Sequence, residues 1–363
     1  MSLRLALPSK GMEEDTLAFL SQCGLSVDRT NPRQYRARMR GLPTGSVEIV
    51  FQRATDIFDE VNAASVDLGI TGYDIVAEHR SEEDDVVLVH AELGFQRCSL
   101  VLAVPEGWVD VSSVADIAEV ATELRASGRE LRVATKYRNL TRQFLYDRGI
   151  TYFELVEVSG ALEAAPALDT ADIICDLTSS GVTLRENRLK TIAGGTVLES
   201  QACLIGNRRA LLASPDSLDA TRGLLELIEA HLRSRRQVSL TANMRGESAE
   251  SVARRVLATG EAAGLRGPTV APVFAKDPDP RGGAWFALTV VVSEQGLLPA
   301  VEALRRAGAI DVTATAVQYV FERDSWTFEA LKRQLGPAGA GQPAHDPRPT
   351  TSFRTKTTAA SSS

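Results

Sequence analysis

The sequence contains no apolar run near the roughly 18 to 20 residues needed to cross a bilayer; its longest, Trp285 to Val292, has only the length of a strand. A membrane-spanning chain is therefore not expected. Excess positive charge is also missing. The 40 Lys and Arg are outnumbered by 47 Asp and Glu, giving a formal charge of −7, whereas a general nucleic-acid binder needs a net basic footprint. Cysteine is sparse, and Cys23, Cys98, Cys175 and Cys203 are widely spaced with no C-x-x-C pair, which reads as reduced core thiols and no zinc site. Neither a G-x-S-x-G elbow nor an H-E-x-x-H helix is present. The N-terminal stretch reaches Pro8 and then charge before an export-signal core could form, so a cytoplasmic location is expected.

What is present is a foldable α/β pattern. Hydrophobic residues make up 44% of the 363 and charged residues 24%, which suits ordered domains, and the length suits two or three of them. Apolar runs at 3–7, 47–51, 66–70, 86–89, 99–104, 131–135, 153–157 and 171–177 alternate with helical stretches such as 13–23, 112–127 and 138–148. Strands interleaved with helices predict mostly parallel sheets, and this many predict two. After a long helix over 218–235 the pattern becomes strand 237–243, helix 249–263, strands 269–274 and 285–292, helix 297–307 and strand 312–321. That βαββαβ order predicts a ferredoxin-like unit ending near 323. Residues 324–335 can form one more helix, and 336–363, rich in Pro, Gly, Ala, Ser and Thr, are expected to be a disordered tail.

Chemistry concentrates in a few loops. In ADIICDLTSSGVTLREN, 171–187, apolar residues around Asp172 and Asp176 read as a buried strand, followed by Thr178, Ser179, Ser180, Gly181 and Thr183. Hydroxyls and unobstructed amides there can cradle a phosphate monoester, and an acid just before them suits ribose hydroxyls. The same composition also makes an ordinary turn. Ser9-Lys10-Gly11 at the first helix is a second anion candidate or a plain cap. Asp67 to Asp74 is again a strand opening into a small-residue loop with an acid. Ligands collect at the carboxyl ends of open α/β sheets, so three such loops predict one shared cleft. Arg53 and Arg97 lie at strand ends, where guanidinium forks suit a polyanion and where surface arginines are equally at home. Arg36, Arg38 and Arg40 alternate with Tyr35, Ala37 and Met39, as expected of a solvated strand face. His79, His90, His231 and His345 lie in none of these loops.

Taken together, LALPSKG, FQRATDI, VDLGITGYDIV, LGFQRCSLVLAV, RVATKYRNLTRQF, VSGALEAAP, ADIICDLTSSGVTLREN and GPTVAPV resemble, in this order, the ATP phosphoribosyltransferase family, the first enzymes of histidine biosynthesis. Met12 departs from the pattern, standing where many relatives carry Arg. The resemblance implies a catalytic part of two lobes, like type II periplasmic binding proteins, with 1–94 plus 190–212 as lobe one, 95–189 as lobe two, and 213–323 as a regulatory domain of the long form. It implies transfer of phosphoribosyl from phosphoribosyl pyrophosphate to N1 of ATP, with Mg2+ and no metal-ligating side chain assigned. Thr178, Ser179, Ser180, Gly181, Val182 and Thr183 would hold the 5′-phosphate, and Asp176 and Glu163 would be the catalytic acids at the ribose. Lys10, Gly11, Arg53, Arg97 and Lys136 would meet the pyrophosphate and triphosphate, and Gly72, Tyr73 and Asp74 the adenine side. Histidine would inhibit through Thr269 and Asp311, although no acid occurs around Asn243 to Arg245 where relatives offer one. The family also implies homodimers and homohexamers without a separate regulatory subunit. A non-catalytic two-lobed small-molecule-binding protein is the alternative, since a cleft alone does not distinguish carriage from reaction.

Overall fold

The structure, a computed structural model, describes residues 2–336 except 30, 32, 43–46, 82, 159, 263 and 275–283. The first lobe is laid down by β1 (Leu3–Pro8), α1 (Glu13–Gln22), β2 (Ser26–Asp28), β3 (Arg36–Arg40), β4 (Val47–Gln52), α2 (Ala54–Asn62), β5 (Leu68–Gly72), α3 (Tyr73–His79) and β6 (Val86–His90). The second follows with β7 (Cys98–Pro105), α4 (Val114–Ala126), β8 (Leu131–Thr135), α5 (Arg138–Asp147), β9 (Phe153–Val156), a 3-10 turn (Leu162–Ala164), β10 (Ile173–Thr178), α6 (Val182–Glu186) and β11 (Leu189–Ser200). The chain returns with β12 (Ala202–Asn207), α7 (Arg208–Ala213) and α8 (Pro215–Ser234). It then builds β13 (Gln237–Gly246), α9 (Ala249–Leu257), β14 (Thr269–Val273), β15 (Ala284–Ser293), α10 (Leu297–Arg306), β16 (Ala309–Ala316) and α11 (Trp326–Leu335).

The first sheet runs β2-β3-β4-β1-β5-β12-β6, with β1 parallel to β4 and β5 and the returning β12 antiparallel to both its neighbours. The second runs β11-β7-β10-β8-β9, with β10, β8 and β9 parallel. Helices cover both faces of the parallel parts, which is why β1 and β5 are buried almost throughout and read in sequence as unbroken apolar runs. The two sheets make two α/β lobes, and the chain passes between them twice, from β6 to β7 and back from β11 to β12. On β3 the alternation also holds: Met39 is buried while Arg36 and Arg40 pair with Glu48 and Asp28 across the sheet.

Two boundaries differ from expectation. The return crossing falls at Gln201, not at 190, because β11 runs the full edge of β7, pairing Leu198 with Leu100 and Ser200 with Cys98. Gly194, at φ +73°, and Gly195, whose added Cβ would lie 2.7 Å from Ile192, bend this strand and break its sequence periodicity. The C-terminal unit begins near 237 rather than 213. Helix α8 buries Ala220, Leu224, Leu225 and Ile228 in the same core as Leu3, Leu5 and Leu7, so it belongs to lobe one by packing. Its start is fixed by Ser214, whose hydroxyl accepts from the Ser217 amide, with Pro215 at the first helical position.

The remaining unit has the expected βαββαβ order, and its sheet β14-β15-β13-β16 is antiparallel with α9 and α10 over one face. After it, α11 comes back to lobe one, seating Phe328, Leu331 and Leu335 in that lobe's core. Glu229 of α8 accepts the Thr327 amide at 2.8 Å, and the Gln334 carbonyl accepts from Arg208. The expected tail lies, from residue 337 onward, outside the described residues. Among those described, no helix is long and apolar enough to cross a membrane.

Candidate active site

The phosphate-loop candidate lies where β10 leaves the core. Ile173, Ile174 and Cys175 are fully buried, Asp176 to Thr178 emerge partly, and Ser179 and Ser180 are exposed. The turn is closed by the Thr178 hydroxyl, which accepts the Gly181 amide at 3.0 Å. Gly181 sits at φ +69°, a left-handed conformation that costs an L-residue strain but glycine little. It precedes α6 without a side-chain cap of its own; the Val182 amide donates to the Ser180 hydroxyl at 3.5 Å, and Ser179 and Thr183 lie on an exposed rim.

Register brings the charged groups together. In the parallel pair β8–β10, Thr135 is opposite Cys175, so Lys136 and Asp176 emerge side by side at the carboxyl end of the second sheet. Burial pushes the Asp176 carboxyl up; the Leu177 amide, donating to Oδ1 at 2.8 Å, and the Lys136 ammonium pull it back, while the Glu163 carboxylate adds to the rise. Asp176, Lys136 and Glu163 therefore share one electrostatic neighbourhood. Glu163 is held there by the 3-10 turn, pinned through buried Leu162 and Ala165.

Lobe one contributes its own carboxyl edge. Strands β4, β1 and β5 are adjacent and parallel, which aligns Arg53, Lys10 with Gly11, and Gly72 with Tyr73 along one rim. The Ser9 amide donates to the Gln52 carbonyl at 2.7 Å, tying two of these ends together. Lys10 and Gly11 line a cavity of about 500 Å³ with Glu13, Glu14 and Asp15. Arg53 and Lys10 are exposed, as is Arg97 just before β7. Gly72 is required by space, since an added Cβ would lie 2.4 Å from Asp74 Oδ1. Asp74 itself is buried, and its two oxygens accept from the Ser200 hydroxyl and the Tyr137 hydroxyl, each at 2.7 Å. Burial, then the Asp74 charge, push the Tyr137 phenol well above its ordinary range, with Asp176 adding to the effect.

Other residues have different duties. Asp172, for which the strand pattern alone gave no role, is clamped by Arg132 and Arg129 at 3.1 Å each; these bonds outweigh burial and hold its carboxyl low. The larger cavity beside it, about 660 Å³ and lined by Arg129, Arg132, Glu154 and Asp169, lies at the opposite end of β8 from Lys136. Thr269 and Asp311 are not brought together within one chain, for β14 and β16 are the two outer edges of their sheet. Tyr137, Ser200 and Glu78 make contacts between the two lobes that the motifs did not single out. The available signal was the i, i+4 spacing of Asp74 and Glu78, two acids on one face of a short apolar helix.

The model of the ATP phosphoribosyltransferase family matches residues 53–230, and that of its C-terminal domain residues 234–319. ATP phosphoribosyltransferase 1, chloroplastic, of Arabidopsis thaliana is 40% identical over 337 residues, which span 92% of this chain and 81% of the plant protein. The chain belongs to the ATP phosphoribosyltransferase family. An ATP phosphoribosyltransferase of Brucella anthropi is 48% identical over 214 residues, covering 58% of this chain and 92% of that protein. Among solved structures, the ATP phosphoribosyl transferase (HisG:HisZ) complex from Thermotoga maritima aligns at 22% identity and a TM-score of 0.47, over 62% of this chain and 98% of that one. The periplasmic aliphatic sulphonate binding protein SsuA from Escherichia coli aligns at 12% identity and a TM-score of 0.39, over 92% and 89%. Membership of the ATP phosphoribosyltransferase family sets aside the reading as a non-catalytic binding protein. Its members generally require a divalent metal. Among the described residues there is no cluster of three or more His, Cys, Asp or Glu that could hold a metal ion.

Proposed function

We propose that the cleft transfers phosphoribosyl from phosphoribosyl pyrophosphate to N1 of the adenine of ATP, giving phosphoribosyl-ATP and pyrophosphate. The observation that carries this reading is the pairing of Asp176, beside Lys136 and Glu163, with the hydroxylated turn Thr178 to Thr183. The turn would hold the 5′-phosphate through the amides and hydroxyls of Thr178, Ser179, Ser180, Gly181, Val182 and Thr183. Adenine N1 already has a free lone pair, so no base is needed to prepare it. That lone pair forms the bond to C1, while the C1–O bond to pyrophosphate breaks and its electron pair leaves with the pyrophosphate. The adenine amino group then releases a proton.

While the C1–O bond breaks ahead of full bonding to N1, C1 carries positive charge, as in glycoside cleavage. Asp176 and Glu163, one above its ordinary carboxyl range through burial, would face that charge and the ribose hydroxyls. Lys136, Lys10 with Gly11, Arg53 and Arg97 would neutralise the pyrophosphate and triphosphate, and Gly72 and Tyr73 would border the adenine. Bound with the pyrophosphate beside Lys136, Lys10, Arg53 and Arg97, magnesium would supply counter-charge to the leaving oxygens.

The unit from β13 to β16 would be the regulatory domain of a long form inhibited by histidine, with Thr269 and Asp311 as its contacts. As the two lie on opposite edges, each would serve a different histidine site or a site shared with a neighbouring copy in a homodimer or homohexamer. No separate regulatory subunit is then required, and the cytoplasm is the proposed location. The test is to mix protein, magnesium, ATP and phosphoribosyl pyrophosphate with pyrophosphatase and follow the ultraviolet absorbance of the adduct. Folded protein that forms no adduct refutes the reading; added histidine that leaves the rate unchanged refutes the regulatory part alone.

A further inference from the structure

Helix α5 begins badly by its own means. Its N-cap residue, Tyr137, makes no side-chain capping bond, and its first turn has no acid. Four amides at such an end need acceptors. Two of them find one in the other lobe. Glu78, on α3 of lobe one, accepts the Asn139 amide on one carboxylate oxygen at 2.8 Å and the Leu140 amide on the other at 3.0 Å, and the Asn139 side chain donates back to the Glu78 carbonyl at 3.0 Å. Glu78 is only 7% exposed. One turn earlier on the same face of α3, Asp74 accepts the Tyr137 hydroxyl and also the hydroxyl of Ser200, which is the last residue of β11 before the chain crosses back.

We infer that Glu78 is a positioning residue, a clasp between the lobes that fixes the turn after β8 and thereby sets Lys136 against Asp176. The geometry supports this at each step. Lys136 lies between Thr135, pinned by its hydroxyl to Thr141 and to the Tyr137 amide, and Tyr137, pinned to Asp74. The turn therefore has one end in the second sheet and the other held by α3. A buried carboxylate on two helix-start amides is the strongest contact in the set, since hydrogen bonds to a charged acceptor exceed neutral ones and the helix dipole favours the negative charge. Lobe one thus helps to place a cation that belongs to lobe two, so the separation of the lobes and the position of the charge are one variable. The assignment rests on the reading of Lys136 as a contact of phosphoribosyl pyrophosphate.

Glu78→Gln keeps the volume but replaces one acceptor with a donor facing an amide. Expected is a rise of about tenfold in KM for phosphoribosyl pyrophosphate, the lower end for losing one bond to a charged group, with a fall in kcat, since Lys136 faces the departing pyrophosphate, and a smaller change in KM for ATP. Hydrogen exchange should quicken about tenfold at the Asn139 and Leu140 amides and stay unchanged in β1, β4 and β10. Tyr137→Phe, which removes the bond to Asp74 and leaves Glu78 in place, is the second variant and should shift the same KM in the same direction. Unaltered exchange at 139 and 140, or equal losses toward both substrates with faster exchange throughout the chain, overturns the clasp. Should the unsubstituted protein form no adduct, the activity reading falls by itself, and the exchange measurement still decides whether Glu78 ties the lobes.

Discussion

His90 ends β6 beneath α11, 7% exposed, with its ring 6.0 Å from that of Trp326. Its Nδ1 accepts the Glu92 amide at 3.2 Å, so that nitrogen carries no proton in the folded chain. Burial lowers its pKa from 6.5 to about 4, against an opposing pull from Glu229. A depressed histidine destabilises the fold where the unfolded chain takes a proton that the folded one refuses. Stability linked to His90 is complete above pH 6.5 and is lost as pH falls toward 4. The full difference is about 3 kcal/mol, of which about 2 kcal/mol has gone by pH 5. The perturbation is His90→Asn, whose Oδ1 can still accept the Glu92 amide but which has no proton to gain. Urea unfolding at pH 7.5 and pH 5.0 measures the effect. The variant should be less stable at pH 7.5, having lost ring packing against Trp326, yet its decline between the two pH values should be smaller than that of the unsubstituted chain by about 2 kcal/mol. Equal declines in both proteins would refute the reasoning, because they would show that His90 titrates alike in the folded and unfolded states.

Asp176→Asn should cut kcat severely with the unfolding curve unchanged in shape, and unaltered turnover would remove Asp176 from the site. Because burial raises this carboxyl, activity should fall on acidification at a higher pH than an ordinary carboxylate would give. The sign for stability is opposite: the folded state keeps this proton longer than the unfolded one, so its contribution declines as pH rises through that window. Gly181→Val, at φ +69°, should cost about 1–2 kcal/mol and raise KM for phosphoribosyl pyrophosphate; a KM equal to that of the parent chain would argue against the turn as the phosphate site. Leu331→Ala, fully buried in the core of lobe one, should lower stability by about 3 kcal/mol in urea denaturation. A loss below about 0.5 kcal/mol would mean that α11 is not docked as described. The same packing bears on truncation: ending the chain after Ser214 would strip α8 from the lobe-one core, so histidine sensitivity is better tested on the intact chain.

Most of the strand-helix alternation up to residue 178, the βαββαβ unit and the polar turn after β10 were legible in the sequence, because apolar period and small polar clusters are local signals, whereas β2, β11 and β12 were not. The polar loops at Asp176 to Thr183 and at Lys10 were likewise visible in the sequence, as small-residue clusters at strand ends. The sequence by itself could not reveal which lobe owns β11 and α8, since both are amphipathic segments whose partners are chosen by shape across a long chain separation. Nor could it reveal that Thr269 and Asp311 stand on opposite sheet edges, which depends on strand order and not on spacing. Tyr137, Ser200 and Glu78 are ordinary in their own neighbourhoods, and they become a unit only when two lobes press α3 against the start of α5. Local periodicity thus determined the elements and the chemistry each loop carries. Tertiary packing alone decided which charges meet, because a carboxylate's hydrogen bonds and its pKa depend on neighbours that the chain brings from more than sixty residues away.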